Sequence, residues 1–414
     1  MFFQSKKVFN AFEHRQHVGN YKLLLVFFLV AEIFLPFRAG AINQNNLTNN
    51  LNTNIFEVVK KQVTSSIKVI PRNRFPIETN PAGKWQTTQA SGWTSGFYPG
   101  ILWMLYEQSG NKSYAEEARL RENFLSSQKL NTSTHDVGFI IFNSFGNAYR
   151  LTKNNNDKKI ILKTAQSLAT RYNPKVGLIR SWNNDQKSYQ VIIDNLMNLE
   201  LLFWSAKNGG DPTLMKIAET HARNTARDFV RKNGSTFHLL NYNPKSGHIL
   251  SRTTAQGYAP NSTWARGQAW AIYGFSIAYR ETGDKYFLTT ARKVADYYTD
   301  NLPADFVPYW DFDVPNKTKE PRDSSAAAIA SSGLLELSNL ELDQSRSLKY
   351  REFANNTLIS LSSEKYLNQT KNQAGILLHG TYNKNTNNYD RGTIWGDYYF
   401  IEALLKLKRF PQKQ

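Results

Sequence analysis

Residues 265–300 read ARGQAWAIYGFSIAYRETGDKYFLTTARKVADYYTD, and the two halves of this stretch differ in kind. The first half is apolar on nearly every face and rich in Gly, Ala and aromatics. The second is amphipathic. An amphipathic helix lies on a surface, whereas a helix apolar all round is enclosed. Gly283 between them is a helix stop signal.

The same alternation runs through the chain. Amphipathic segments occupy 55–70, 113–128, 158–172, 214–232, 286–302 and 347–363, and enclosed ones 95–111, 137–154, 191–208, 265–284, 324–340 and 391–407. Several enclosed segments close on a Gly or Asn stop, as in LYEQSGN, AYRLTKN, FWSAKNGG and AYRETGD, and an outer segment then opens. This is a helical-hairpin repeat of roughly 45–75 residues. Six hairpins with one buried and one exposed layer suit an open solenoid or a closed ring. An open solenoid needs polar capping repeats, and no segment has that character. The expected fold is all-α, one (α/α)6 barrel of six helical hairpins over residues 54–414. Its six inner helices would run parallel and gather their N-terminal ends at one mouth.

Composition narrows the chemistry. The 414 residues contain no cysteine, which removes disulfides, zinc-thiolate sites, iron–sulfur clusters and thiol nucleophiles together. GxSxG, GxGxxG and phosphate-loop motifs are missing as well, so no metal or cofactor is expected. Lys6, Lys7, Arg15 and Lys22 precede an apolar run, Leu23 to Ala31, and then Ala39-Gly40-Ala41. That pattern reads as a secretory signal over 1–41, since nine apolar residues fall short of the ~20 that span a bilayer. A polar leader, 42–53, would follow, and the protein would be exported with no membrane span. The formal charge is +18, and +15 remains beyond residue 41. A basic exported domain with scattered lysines points to an anionic glycan rather than nucleic acid.

Unusual residues cluster where the mouth should be. Trp93 precedes the first inner helix, His135 and Asp136 the second, and Asp194 opens the third. Trp264 and Arg266 stand at the fourth, Asp323 at the fifth, and Trp395 and Asp397 at the sixth. Aromatic rings stack on sugars, and the arginine fork matches a carboxylate. Asp194 lies in VIIDNLMNLELLFW, where burial would raise its pKa as a general acid requires, although an Asp there could also cap its helix. Asp136 in THDVGF carries the same ambiguity, and His135 could be structural or a donor to substrate. Arg266 in WARGQAW needs an anion: Asp194, Asp136 or a substrate carboxylate. His238 and Gln256 lie in the long insertion before the fourth inner helix, where loop residues are the ordinary reading. Asp311 and Asp313 read as a wall of the cleft.

Together WTSGFYPGILW, HDVGF, the Asp-Asn pair of VIIDNLMN, QGYAPNSTWARGQAW, DSSAAAIASSGLLEL, LLHGTYN and WGDYYFIEALL resemble the unsaturated glucuronyl hydrolases, glycoside hydrolase family 88. The resemblance implies an (α/α)6 barrel that releases the 4,5-unsaturated uronic acid left at the non-reducing end by a polysaccharide lyase. It implies hydration of the C4=C5 vinyl ether, with Asp194 as the acid and Asp136 as the second essential carboxylate. It also implies that His238, Gln256, Arg266, Trp264 and Trp270 line the sugar pocket, with His135 and Trp93. The chain departs from glycosaminoglycan-acting members at NKNTNNYDRGT, 383–393, where some carry Ser and Lys for a sulfated sugar; ulvan-type substrates are therefore open too. The competing expectations are an unsaturated rhamnogalacturonyl hydrolase acting on pectin fragments, a non-catalytic periplasmic glycan-binding protein, and an inverting glycosidase that acts on saturated uronides.

Overall fold

The computed structural model describes residues 44–184, 187–370 and 372–410. The expected signal, 1–41, lies outside them. Two units divide at Thr48, and of the first only Gln44–Thr48, the opening of a helix, is described. Helix α1 runs Gln44–Val69, and no Gly or Pro interrupts 44–53 to stop it.

Outer helices α1, α3 (Lys112–Leu125), α5 (Asn155–Ala169), α7 (Thr213–Phe229), α9 (Lys285–Asp300) and α11 (Gln344–Leu361) alternate with inner ones. The inner set is α2 (Phe97–Ser109), a π-helix at Gly138–Gly146 continued by α4 (Asn147–Thr152), α6 (Asn195–Lys207), α8 (Ala265–Thr282), α10 (Ser324–Leu340) and α12 (Ile394–Arg409). Each inner helix packs on the next, and α12 packs on α2, so the ring is closed. The fold is an (α/α)6 barrel. Every residue of α8 from Ala265 to Ala278 and of α10 from Ser324 to Ser338 is buried, as enclosed helices must be.

The hairpin turns follow a division of labour that the sequence reading blurred. Gly110 and Gly283, both at φ +70°, and Lys153, at φ +56°, take the left-handed conformation that ends an inner helix. Asn111 and Asn154 do not stop anything. They cap the next outer helix, accepting the amides of Ser113 and Asn156, as Asp284 accepts that of Tyr286.

Three small antiparallel sheets occupy connections. They comprise β1 (Phe75–Thr79) with β2 (Trp85–Thr88), β3 (Tyr172–Asn173) with β4 (Leu178–Ile179), and β5 (Tyr189–Ile192) with β6 (Leu239–Tyr242) and β7 (Ile249–Thr253). Strand β5 takes Val191 and Ile192 out of the helix expected from 191, since a β-branched run favours a strand. Asp194 therefore stands between strand and helix.

The π-helical second inner element explains Gly96. A Cβ there would come within 2.2 Å of the carbonyl oxygens of Phe139 and Ile140. Gly96→Ala is expected to cost about 3 kcal/mol, the upper range of overpacking, because the obstacle is backbone and cannot swing away. A thermal melt checks this; an unchanged Tm would contradict the close approach.

Candidate active site

The inner-helix N-termini bring the singled-out residues to one mouth, and burial sorts them into two layers. Trp93, Asp136, Asp194 and Gln256 are partly open, while His135, His238, Trp264, Arg266 and Trp270 are buried behind them.

Asp194 is the N-cap of α6 by position, yet its side chain makes no cap hydrogen bond. Its side chain is 14% exposed, and Oδ2 is buried without any partner. Burial pushes the carboxyl up to about 7; the Arg266 guanidinium opposes this, and the neighbouring Asp136 adds to it. The capping role that an Asp at this position could have played is absent.

His238 precedes β6 and faces this carboxyl, with Nε2 3.8 Å from Asp194 Oδ2. Its other nitrogen, Nδ1, accepts the amides of Ala255 at 3.2 Å and Gln256 at 3.3 Å, and Thr254 Oγ1 lies 3.1 Å away. Those donors leave the ring proton on Nε2, the atom aimed at Asp194. Burial, with the Arg266 charge, lowers the imidazole to about 3, so the ring is a neutral donor. It stacks on Trp264 at 4.4 Å between centroids.

Asp136 is built differently. Thr134 Oγ1 donates to its Oδ2 at 2.8 Å, and His135 Nε2 is 3.3 Å from its Oδ1. Asn198 uses Oδ1 to accept the Phe139 amide and so turns its NH2 toward His135 Nδ1, at 3.4 Å. His135 thus carries its proton on Nε2 as well and presents it to Asp136; burial holds its pKa down. This histidine is 1% exposed and supports Asp136 from beneath.

Arg266 corrects an expectation. Its anion is neither Asp194 nor Asp136: Nη1 is 3.0 Å from Asp323 Oδ2, and the guanidinium also donates to the Thr381 and Tyr382 carbonyls. Asp323 in turn caps α10 through the amides of Ser325 and Ala326. Arg266 lies over Trp264 at 4.3 Å and is buried, so it tethers the 381–382 backbone and sets the field at Asp194. Trp270 is likewise fully buried against Phe139 and Tyr399; its indole N–H completes no hydrogen bond but lies close enough to the Asp194 carboxyl to oppose the rise in pKa that burial causes. Asp397 is occupied structurally, accepting the Ile376 and Leu377 amides at 2.9 Å each. Asp311 and Asp313 brace the 254–263 loop, through the Tyr258 and Thr263 amides.

Tyr382 and Glu78 carry little signal in sequence. The Tyr382 carbonyl accepts from both Arg266 and Gln256, and its hydroxyl accepts the Trp93 indole N–H at 3.3 Å. Glu78 on β1 is buried with Oε2 unpartnered; burial raises its pKa, while Arg391 and Arg266 oppose the rise. The available signals were a lone charge in the otherwise uncharged FPIET, and LLHGTYN for the tyrosine.

Among the described residues no group of three or more His, Asp or Glu is arranged to hold a metal ion, and no helix is long and apolar enough to cross a membrane. The mouth thus offers a protonatable carboxyl, a second carboxyl that accepts from Thr134 with His135 beside it, a neutral imidazole donor and an open tryptophan. That set can transfer a proton to a sugar held against the ring.

Comparison with known proteins gives the family. An unsaturated glucuronyl hydrolase of Formosa agariphila is 44% identical over 319 residues, 75% of this chain and 79% of that protein. One from Bacillus sp. strain GL1 is 36% identical over 347 residues, covering 81% and 92%. The crystal structure of an unsaturated glucuronyl hydrolase specific for heparin superimposes with a TM-score of 0.84 at 38% identity, over 88% of this chain and all of that one. The model of Glycosyl Hydrolase Family 88 matches residues 58–399, and the chain is a glycoside hydrolase belonging to that family.

Proposed function

We propose that the protein releases the 4,5-unsaturated uronic acid from the non-reducing end of glycosaminoglycan-type oligosaccharides produced by polysaccharide lyases. The observation that carries this reading is the buried Asp194 carboxyl, whose Oδ2 has no hydrogen-bond partner, beside Asp136 and the His238 N–H. The activity named for the relatives supports it.

In the proposed reaction the Asp194 carboxyl protonates C4 of the vinyl ether, and positive charge develops over C5 and the ring oxygen. The nearby Asp136 stabilises that charge. Water then adds at C5, giving up a proton to the Asp194 carboxylate. The resulting hemiketal opens by breaking the bond between C5 and the ring oxygen. C1 is left as a hemiacetal that collapses to an aldehyde and expels the aglycone. Trp93 stacks on the ring, and Asp136 with Gln256 takes its hydroxyls.

A pH dependence follows with a definite sign. Asp194 must carry its proton to act as the acid, and its pKa lies at about 7. The value of kcat/KM is therefore expected to be level below that pH and to fall tenfold per pH unit above it. A rate that climbs through pH 8 would rule Asp194 out as the acid.

The test of reaction type uses D2O and a panel of chondroitin-, heparin-, ulvan- and pectin-lyase products. Loss of the vinyl-ether absorbance should coincide with aglycone release, one deuteron should enter C4 on a single face, and saturated uronides should be untouched. Turnover of saturated uronides would instead indicate an ordinary glycosidase. The 383–393 loop, NKNTNNYDRGT, is the feature that keeps ulvan fragments in the panel. The basic lead and apolar run at 6–31 support a site of action outside the cytoplasm.

A further inference from the structure

The loop 254–259 is pinned through five consecutive amides. Ala255 and Gln256 donate to His238 Nδ1, Gly257 to Thr254 Oγ1 at 2.7 Å, Tyr258 to Asp311 Oδ2 at 2.9 Å, and Ala259 to Ser262 Oγ at 3.0 Å. Asp311 is itself fully buried, so the loop is anchored to the core. A Cβ at Gly257 would meet Thr254 Oγ1 at 2.7 Å, which shows how tightly the turn is drawn. Yet this rigid loop holds the Tyr258 side chain 50% exposed. An apolar ring displayed by an ordered backbone has already lost the freedom that binding would otherwise remove.

The neighbouring segment does the same. The Gly257 carbonyl accepts from Asn385 Nδ2 at 3.0 Å, and Gln256 donates to the Tyr382 carbonyl, so the loop is joined to 382–389 at the rim of the mouth. That segment is closed by the Asn383–Asn388 bridge and displays Tyr389, 36% exposed, with Lys384 Nζ 4.4 Å from its ring centroid. Gln256 and Tyr382 already belong to the mouth, and the two exposed tyrosines follow them on the same segments.

We infer that Tyr258 and Tyr389, with the Lys384 cation, form an outer subsite that stacks a sugar beyond the terminal disaccharide of an anionic oligosaccharide. The inference rests on the functional reading above and adds a length preference to it. Aromatic faces bind pyranose rings with little dependence on their substituents, and the lysine favours an acidic or sulfated residue there.

The test compares an unsaturated disaccharide with an unsaturated tetrasaccharide of the same repeat. It measures kcat/KM and, independently of turnover, Kd by calorimetry, for wild type, Tyr258→Ala, Tyr389→Ala and Tyr286→Ala. Tyr286, 41% exposed at the start of α9, is the control at the opposite end of the barrel. The preference for the tetrasaccharide should fall roughly 3- to 10-fold in Tyr258→Ala, less in Tyr389→Ala and not in the control. Equal losses on both substrates, or no change in the ratio, would overturn the subsite. If wild type binds the tetrasaccharide in a Tyr258-dependent way but turns over neither substrate, the subsite stands and the proposed function falls.

Discussion

Asp194→Asn is expected to lower kcat by roughly 10²- to 10⁴-fold, the loss typical of removing an acid–base group, while the fold survives. Asparagine keeps the volume but has no carboxylic proton to give. The stability of this variant carries a second, sharper signature. A carboxyl raised from 3.8 in the unfolded chain to about 7 in the folded one destabilises the protein progressively as pH rises between those values. The Asn variant should therefore melt at or above the wild-type temperature at pH 8, and the two should converge near pH 4. An Asp that served only the fold would show the reverse, with activity retained and Tm reduced. Measuring both quantities on one preparation separates the roles.

Asp323→Asn should produce the largest loss of stability among single changes at the mouth. It removes the counter-charge of Arg266, which is buried under Trp264 and Trp395. Breaking one side of a buried pair costs about 3–5 kcal/mol, because the remaining charge stays desolvated. For a barrel of this size that corresponds to a Tm lower by about 5 °C. Asparagine can still cap α10, so the loss reports the ion pair and not the cap. The double variant Asp323→Asn/Arg266→Met should recover part of the difference. A single variant that melts with wild type would mean that the carbonyls of Thr381 and Tyr382 alone satisfy the guanidinium.

Much of this architecture was legible from hydropathy. Helices such as α8 and α10 are apolar all round and α7 and α9 are amphipathic, so the two layers and the common mouth could be read before any contact was known. Three features were hidden for physical reasons. The π-helical turn at Gly138–Gly146 has no period to read, since GFIIFNSFG is apolar on every face. The division between accessible and supporting residues was equally opaque, because Trp and Arg suit a sugar site whether they touch the sugar or hold what does. Arg266 and Trp270 are both buried, and Arg266 holds the 381–382 backbone. The tethering of Arg266 by Asp323, 57 residues away, depends on the ring bringing two helix starts together, which no local pattern encodes. Asp194 stood between two roles in sequence, since an Asp before an apolar helix suits a buried acid or a cap, and the folded side chain leaves the cap unused.

Ring closure by α12 against α2 also bears on how the protein is born. The mouth gathers groups from Trp93 to Trp395, and its last tether, the Thr381–Tyr382 carbonyls on Arg266, sits late in the chain. On the ribosome, α2 waits for its neighbour until residue 409 has been made, and Arg266 waits for Thr381, Tyr382 and Trp395. A chain stopped short of its final helix would lack the surface that α12 lays on α2 and the Trp395 ring that lies against Trp93 and Arg266.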